Sequence, residues 1–142
     1  METTARAKRC ADAMYANDAA SKALGIRVEI PRAGEAVARM IVREDMVNGF
    51  DVCHGGLLFT LADTAFAFAC NAYDDLTFAA AASIDFLRPA RLGDQLQALA
   101  REDYRGRKSG CYTVDVRNQG GEIVAVFRGR SASRGARLLA PE

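Results

Sequence analysis

The chain has 142 residues, half of them apolar and 26% charged, with a formal net charge of +1. That length suits a single domain, expected to span residues 1–142, and a charge balance without a basic arm or acidic tail gives no reason to expect a nucleic-acid partner. No stretch reaches the roughly 18 uncharged apolar residues of a bilayer-spanning helix, and the polar N-terminus is unlike a secretory signal, so no membrane association and a cytoplasmic location are expected.

From Arg6 to Leu24 the apolar positions Ala7, Cys10, Ala11, Met14, Tyr15 and Ala19 follow helical spacing, with Gly25 as the stop. Ile26–Ile30 and Ala36–Val42 read as strands around a turn at Pro31-Arg32-Ala33-Gly34. A loop from Arg43 to Cys53 leads into the Gly55-Gly56 pair. From Leu57 to Ala69 nearly every residue is apolar, the exceptions being Thr60, Asp63 and Thr64. A helix apolar on all sides is a buried helix, and this one is expected to end near Asn71 or Asp74-Asp75. Four strand-like segments follow: Phe78–Leu87, Gln95–Tyr104, Cys111–Asn118 and Ile123–Ser131. Short turns between them predict antiparallel pairing of chain neighbours. The expected class is α+β, one curved antiparallel sheet around a long central helix.

Within that helix Asp63 is the anomaly. A buried carboxylate costs several kcal/mol unless it is partnered, so it is either satisfied by a neighbour or retained for chemistry. The glycine pair opens the same helix, where amide N–H groups lack intrahelical acceptors and the macrodipole is positive. Such a donor stabilises an oxygen that becomes negative in a reaction. Gly55 and Asp63 are eight residues apart, about 12 Å along a straight helix. One reacting carbonyl cannot touch both, so joint action requires the carboxylate of a second copy, most simply in a two-fold dimer.

His54 is the only histidine, and no G-x-S-x-G elbow supplies a serine partner for it. It and Asn48 are candidates for positioning a substrate or a water. The four cysteines lie far apart without a C-x-x-C pair, so no metal site is expected. Cys53 adjoins His54, but sequence neighbours rarely face each other, and the cysteines read as small core residues.

The segment N-G-F-D-V-C-H-G-G-L-L-F-T-L-A-D-T-A-F-A-F-A-C-N, residues 48–71, resembles the signature of hotdog-fold thioesterases, most closely the phenylacetate-pathway branch called PaaI. The S-I-D-F-L-R-P segment from Ser83, the F-R-G-R segment from Phe127 and the stretch from Met14 to Ile26 are similar to that branch as well. The resemblance implies a hotdog fold, a homo-oligomer of dimers paired into tetramers, and hydrolysis of acyl-CoA without metal or organic cofactor. It implies that Asp63 is the general base or nucleophile, with Gly55 as oxyanion site and His54 and Asn48 as positioning residues. Gly56 and Ser83, the latter the one hydroxyl available for a role relatives often place on the strand after the helix, are the implied substrate contacts. Arg128 and Arg130 are candidates for the CoA phosphates. Phenylacetyl-CoA or its hydroxylated relatives are the expected substrates. A non-catalytic acyl-CoA sensor and a hotdog-fold hydratase are the rival readings; the hydratase's G-H-F-P-type loop is missing from the sequence.

Overall fold

The structure is a computed structural model that describes residues 2–141; Met1 and Glu142, the ends of the expected domain, lie outside the described residues. The N-terminal helical segment is two helices, α1 (Thr3–Ala16) and α2 (Ala19–Ala23). The break comes from Asp18, whose carboxylate accepts from the Ser21 N–H at 2.9 Å and the Ser21 hydroxyl at 2.7 Å. Aspartate favours the start of a helix over its interior, so a second helix begins there.

Six strands follow the expected segments to within a few residues: β1 (Arg27–Arg32), β2 (Glu35–Ile41), β3 (Thr77–Phe86), β4 (Gln95–Arg105), β5 (Ser109–Arg117) and β6 (Ile123–Ser133). Pro31 and Arg32 belong to β1 and not to the turn. β1 is an edge strand, where a missing N–H can face away from the ladder. The sheet order is β1-β2-β4-β5-β6-β3, with every neighbouring pair antiparallel. This corrects the expectation that all chain neighbours pair. β3 and β4 do not, because the connection from β2 through the long helix carries the chain to the far edge.

That helix is α3 (Gly55–Cys70), and it ends where Asn71 caps it. Leu58, Leu61, Ala62, Ala65, Phe66, Phe68 and Ala69 are buried along it. The Phe66 ring lies 5.8 Å from that of Phe127 on β6 and 5.5 Å from that of Tyr112 on β5. A Cβ at Gly129 would stand 2.9 Å from the Phe66 ring, so this strand glycine makes room for the helix's Phe66 against the sheet. The helix is not buried on all sides, however. Gly56 is exposed, and Thr60, Asp63, Thr64 and Ala67 are half-buried, because the sheet covers only one side of the helix. β3 is likewise open: Ala79–Ala82 are exposed and its outer edge is unpaired. Among the described residues no helix is long and apolar enough to cross a membrane.

Candidate active site

The approach to α3 is shaped by Asn48. Its Oδ1 accepts from the Phe50 N–H at 2.9 Å and the Val52 N–H at 3.4 Å, closing a tight loop. The side-chain amide Nδ2 has no acceptor among the described residues. His54 is the N-cap: its Nδ1 accepts from the Gly56 N–H at 2.9 Å. An accepting Nδ1 leaves the ring proton on Nε2, which is therefore a donor. The Leu57 and Leu58 N–H groups both reach the His54 carbonyl, at 2.9 and 3.3 Å. The Gly55 N–H is the first-turn donor without an acceptor among the described residues, and it stands at the positive end of the macrodipole.

Gly55 borders a cleft of about 310 Å³ whose lining includes Asn48, Val52, Phe86 and Arg88. Phe86 roofs it so closely that a Cβ on Gly55 would be 3.2 Å from the ring. Any side chain at position 55 would press on that ring, which explains the glycine better than backbone freedom does.

Asp63 stands two turns along α3 in a different cleft, of about 510 Å³. Its carboxylate has no hydrogen-bond partner among the described residues. The neighbouring hydroxyls do not serve it: Thr60 donates to the Gly56 carbonyl at 2.9 Å and Thr64 to the Thr60 carbonyl at 2.7 Å. Burial pushes the Asp63 carboxyl above the usual aspartate range. A desolvated, unpaired carboxylate suits a base better than a structural anchor. The two clefts share no lining residue, so one chain does not bring Gly55 and Asp63 together.

Ser83, Arg128 and Arg130 are not near Asp63 either. Ser83 pairs with Arg128, and Ala81 with Arg130, on the outer face of the sheet. Phe127, Gly129 and Ser131 take the inner face of β6 and are buried. The reason is a bulge between Ala79 and Ala81. Ala79, opposite buried Ser131, faces inward and lines the Asp63 cleft. Regular alternation would put Ser83 on the same side, but one extra residue turns it over. The cysteine–histidine pairing is also ruled out. Cys53 is buried, its thiol is pushed up to about 11, and its sulfur lies 3.7 Å from the His54 carbonyl while the ring turns to Gly56.

Sequence reasoning missed several residues of the larger cleft. Asn71 was legible only as a helix end. Its Nδ2 donates to the Ala67 and Thr77 carbonyls at 2.9 and 3.1 Å, and its Oδ1 accepts from the Thr77 N–H at 2.9 Å. It thus ties the end of α3 to the start of β3, about two turns beyond Asp63 in the same cleft. Met14 of α1, legible only as an apolar position of that helix, and Leu138 of the C-terminal tail, which no local pattern marks, also line this cleft.

The family described as the thioesterase superfamily matches residues 50–125, which span both clefts' α3 residues. The chain belongs to the thioesterase superfamily. Within it, the acyl-coenzyme A thioesterase PaaI of Escherichia coli (strain K12) is 50% identical over 121 residues, 85% of this chain and 86% of that protein. The structure of the E. coli PaaI protein from the phenylacetic acid degradation operon superimposes with a TM-score of 0.94 at 46% identity, covering 96% of this chain and 99% of that one. A hypothetical thioesterase from Streptococcus pneumoniae TIGR4, solved with coenzyme A, matches with a TM-score of 0.75 at 27% identity, over 79% of this chain and 90% of that one. The sheet, the long helix and the added N-terminal helix are the hotdog fold that the sequence resemblance implied, and the chain is an acyl-CoA thioesterase of the PaaI type.

Proposed function

We propose that this thioesterase hydrolyses arylacetyl-CoA, phenylacetyl-CoA or a ring-hydroxylated relative, at a site composed from two copies of the chain. The observation that carries the reading is the separation of two incomplete half-sites. The open Gly55 N–H and the unpaired Asp63 carboxylate lie about 12 Å apart on one helix, each in its own cleft. Antiparallel juxtaposition of two copies along the open β3 edge would bring one copy's Gly55 towards the other's Asp63. The unpaired edge and the exposed Phe78 and Phe86 support that surface. Such dimers would pair further into tetramers. The substrate class rests on the 50% identity to the E. coli PaaI enzyme and on that relative's place in a phenylacetic acid degradation operon. A cytoplasmic location goes with this reading and with four free cysteines.

In the mechanism, the Gly55 N–H donates to the thioester oxygen and stabilises it as it becomes negative. Asp63 of the second copy takes a proton from water, the water oxygen bonds to the carbonyl carbon, and the carbon–sulfur bond breaks to release CoA thiolate. Direct attack by Asp63, with water then cleaving the mixed anhydride, gives the same products. Nε2 of His54 and Nδ2 of Asn48 are the donors free to orient the thioester or the water, and Gly56, where a Cβ would stand 3.1 Å from His54 Nδ1, lets the imidazole cap the helix. Ser83, Arg128 and Arg130 face away from Asp63, so a role for them in holding substrate or CoA phosphates would need the neighbouring copy's site to reach the outer face.

The test is thiol release from acetyl-, long-chain and phenylacetyl-CoA by the wild type and by Asp63→Asn. The expected result is preference for phenylacetyl-CoA and a loss of at least ~100-fold in turnover in the variant, the scale of a general base. Near wild-type turnover in Asp63→Asn would remove Asp63 from the chemistry. Binding of acyl-CoA without thiol release would turn the reading to a sensor.

A further inference from the structure

The cleft that holds Asp63 is much larger than the carboxylate's own reaction requires. Its volume of about 510 Å³ lies in the range that accepts a whole small molecule. Phe66, Cys70, Asn71 and Thr77 form its buried floor, and the hydrogen bonds of Asn71 already engage Ala67 and Thr77. Asn17, Leu76, Phe78 and Ala79 continue the lining, and two elements outside the sheet and its central helix add an apolar wall. Half-buried Met14 comes from α1, and half-buried Leu138 comes from the C-terminal tail.

Both are firmly held. Tyr15, next to Met14, donates its hydroxyl to the Ile26 carbonyl at 2.6 Å and rests its ring 6.5 Å from Phe68. The tail is fastened by Asp74, whose Oδ1 accepts from the Leu138 N–H at 3.1 Å and the Leu139 N–H at 2.7 Å, while Oδ2 accepts from Arg137 Nε at 2.7 Å. Leu76 adds an N–H donation to the Ala136 carbonyl at 2.8 Å. Asp74 holds φ at 58°, a conformation uncommon for a residue with a side chain. The tail is thus a built wall of the cleft.

From this cavity we infer that the acyl group lies against α1 and the tail, with Met14 and Leu138 as the specificity-determining residues that limit its length. The inference rests on Asp63 being the reacting carboxylate, as proposed above. An acyl carbon within reach of Asp63 sends its substituent into the cleft, and an apolar aryl or medium-chain group fits a floor whose Asn71 amide is already engaged.

The test is the ratio of kcat/KM for octanoyl-CoA to that for acetyl-CoA in the wild type, Met14→Ala, Leu138→Ala and Asp74→Ala, each checked for folding by circular dichroism. One or two methylenes of pocket space carry roughly 10-fold discrimination or more. The ratio should therefore rise about tenfold in either alanine variant of the wall. It should rise similarly in Asp74→Ala, which releases the tail without altering a lining side chain. Leu138→Trp should lower the ratio. An unchanged ratio in the folded variants, with the wild type still releasing thiol, overturns the inference and leaves the hydrolysis standing. No thiol release from the wild type removes both.

Discussion

The two halves of the candidate site sit on one helix and solve opposite problems. At its start, Gly55 offers a bare donor in a cleft roofed by an exposed aromatic ring, and its field comes from the backbone and needs no titrating group. Two turns later, Asp63 offers a bare acceptor whose strength comes from desolvation and depends on its protonation. Each half leaves its central polar group unmatched although neighbouring groups bond locally: Nδ1 of His54 caps Gly56, and Thr60 and Thr64 bond back to their own helix. Unmatched groups of opposite character on one rigid rod complement each other only between two rods.

The strongest way to break the comparison is to remove the donor alone. Gly55 is the first residue of α3, where proline is accommodated, and His54 at φ −57° and ψ 131° already has the backbone that precedes a proline. Gly55→Pro, made with Phe86→Ala to free the space beneath the ring, should lower kcat by about 10²–10³-fold relative to Phe86→Ala alone. Unaltered kcat in the double variant would mean that the oxyanion is held elsewhere.

The next effect concerns the packing that carries both halves. Gly129→Ala would push a methyl to 2.9 Å from the Phe66 ring, costing about 1–3 kcal/mol by overpacking. Chemical denaturation should show it as a lowered midpoint.

A smaller effect separates the cap from chemistry at His54. His54→Ala leaves the Gly56 N–H without its acceptor and should cost about 1 kcal/mol of stability, whereas His54→Asn keeps a good N-cap. Loss of activity in the asparagine variant at wild-type stability would assign the Nε2 donor a role with substrate.

The mildest test uses pH. The Asp63 carboxyl lies above its ordinary value in the folded chain, so through the window between the two values the folded state binds more protons than the unfolded one. Stability should therefore fall as pH rises through that window and then level off. Melting temperatures of Asp63→Asn should lack this component, so the variant gains on the wild type from acid to neutral pH. The acid limb of kcat/KM, which needs the ionised base, should lie above the ordinary aspartate value.

Much of this was legible in the chain, for identifiable reasons. The strands carry alternation bounded by turns, and α3 carries a glycine pair at one end and Asn71 at the other, so the type of each element followed from local pattern. Asp63 stood out because a carboxylate conflicts with its apolar surroundings. What could not be read depends on contacts between distant segments. The bulge between Ala79 and Ala81 reverses the face of Ser83, and an alanine run gives no sign of it. The half-open side of α3 reflects how far one sheet can reach around it. Met14 and Leu138 share a cleft across more than a hundred residues of sequence, brought together by Asp74 and by a tyrosine hydroxyl.

The most direct measurement of the composite site is complementation between two inactive variants. Asp63→Asn and Gly55→Pro/Phe86→Ala would be co-expressed with different tags, and the oligomers carrying both tags would be assayed for thiol release from phenylacetyl-CoA. If each site takes its donor from one chain and its carboxylate from another, a mixed dimer holds one doubly damaged site and one intact site. Activity should then return to about half the wild-type rate per dimer. Mixed oligomers as inactive as either parent would contradict a site shared between chains.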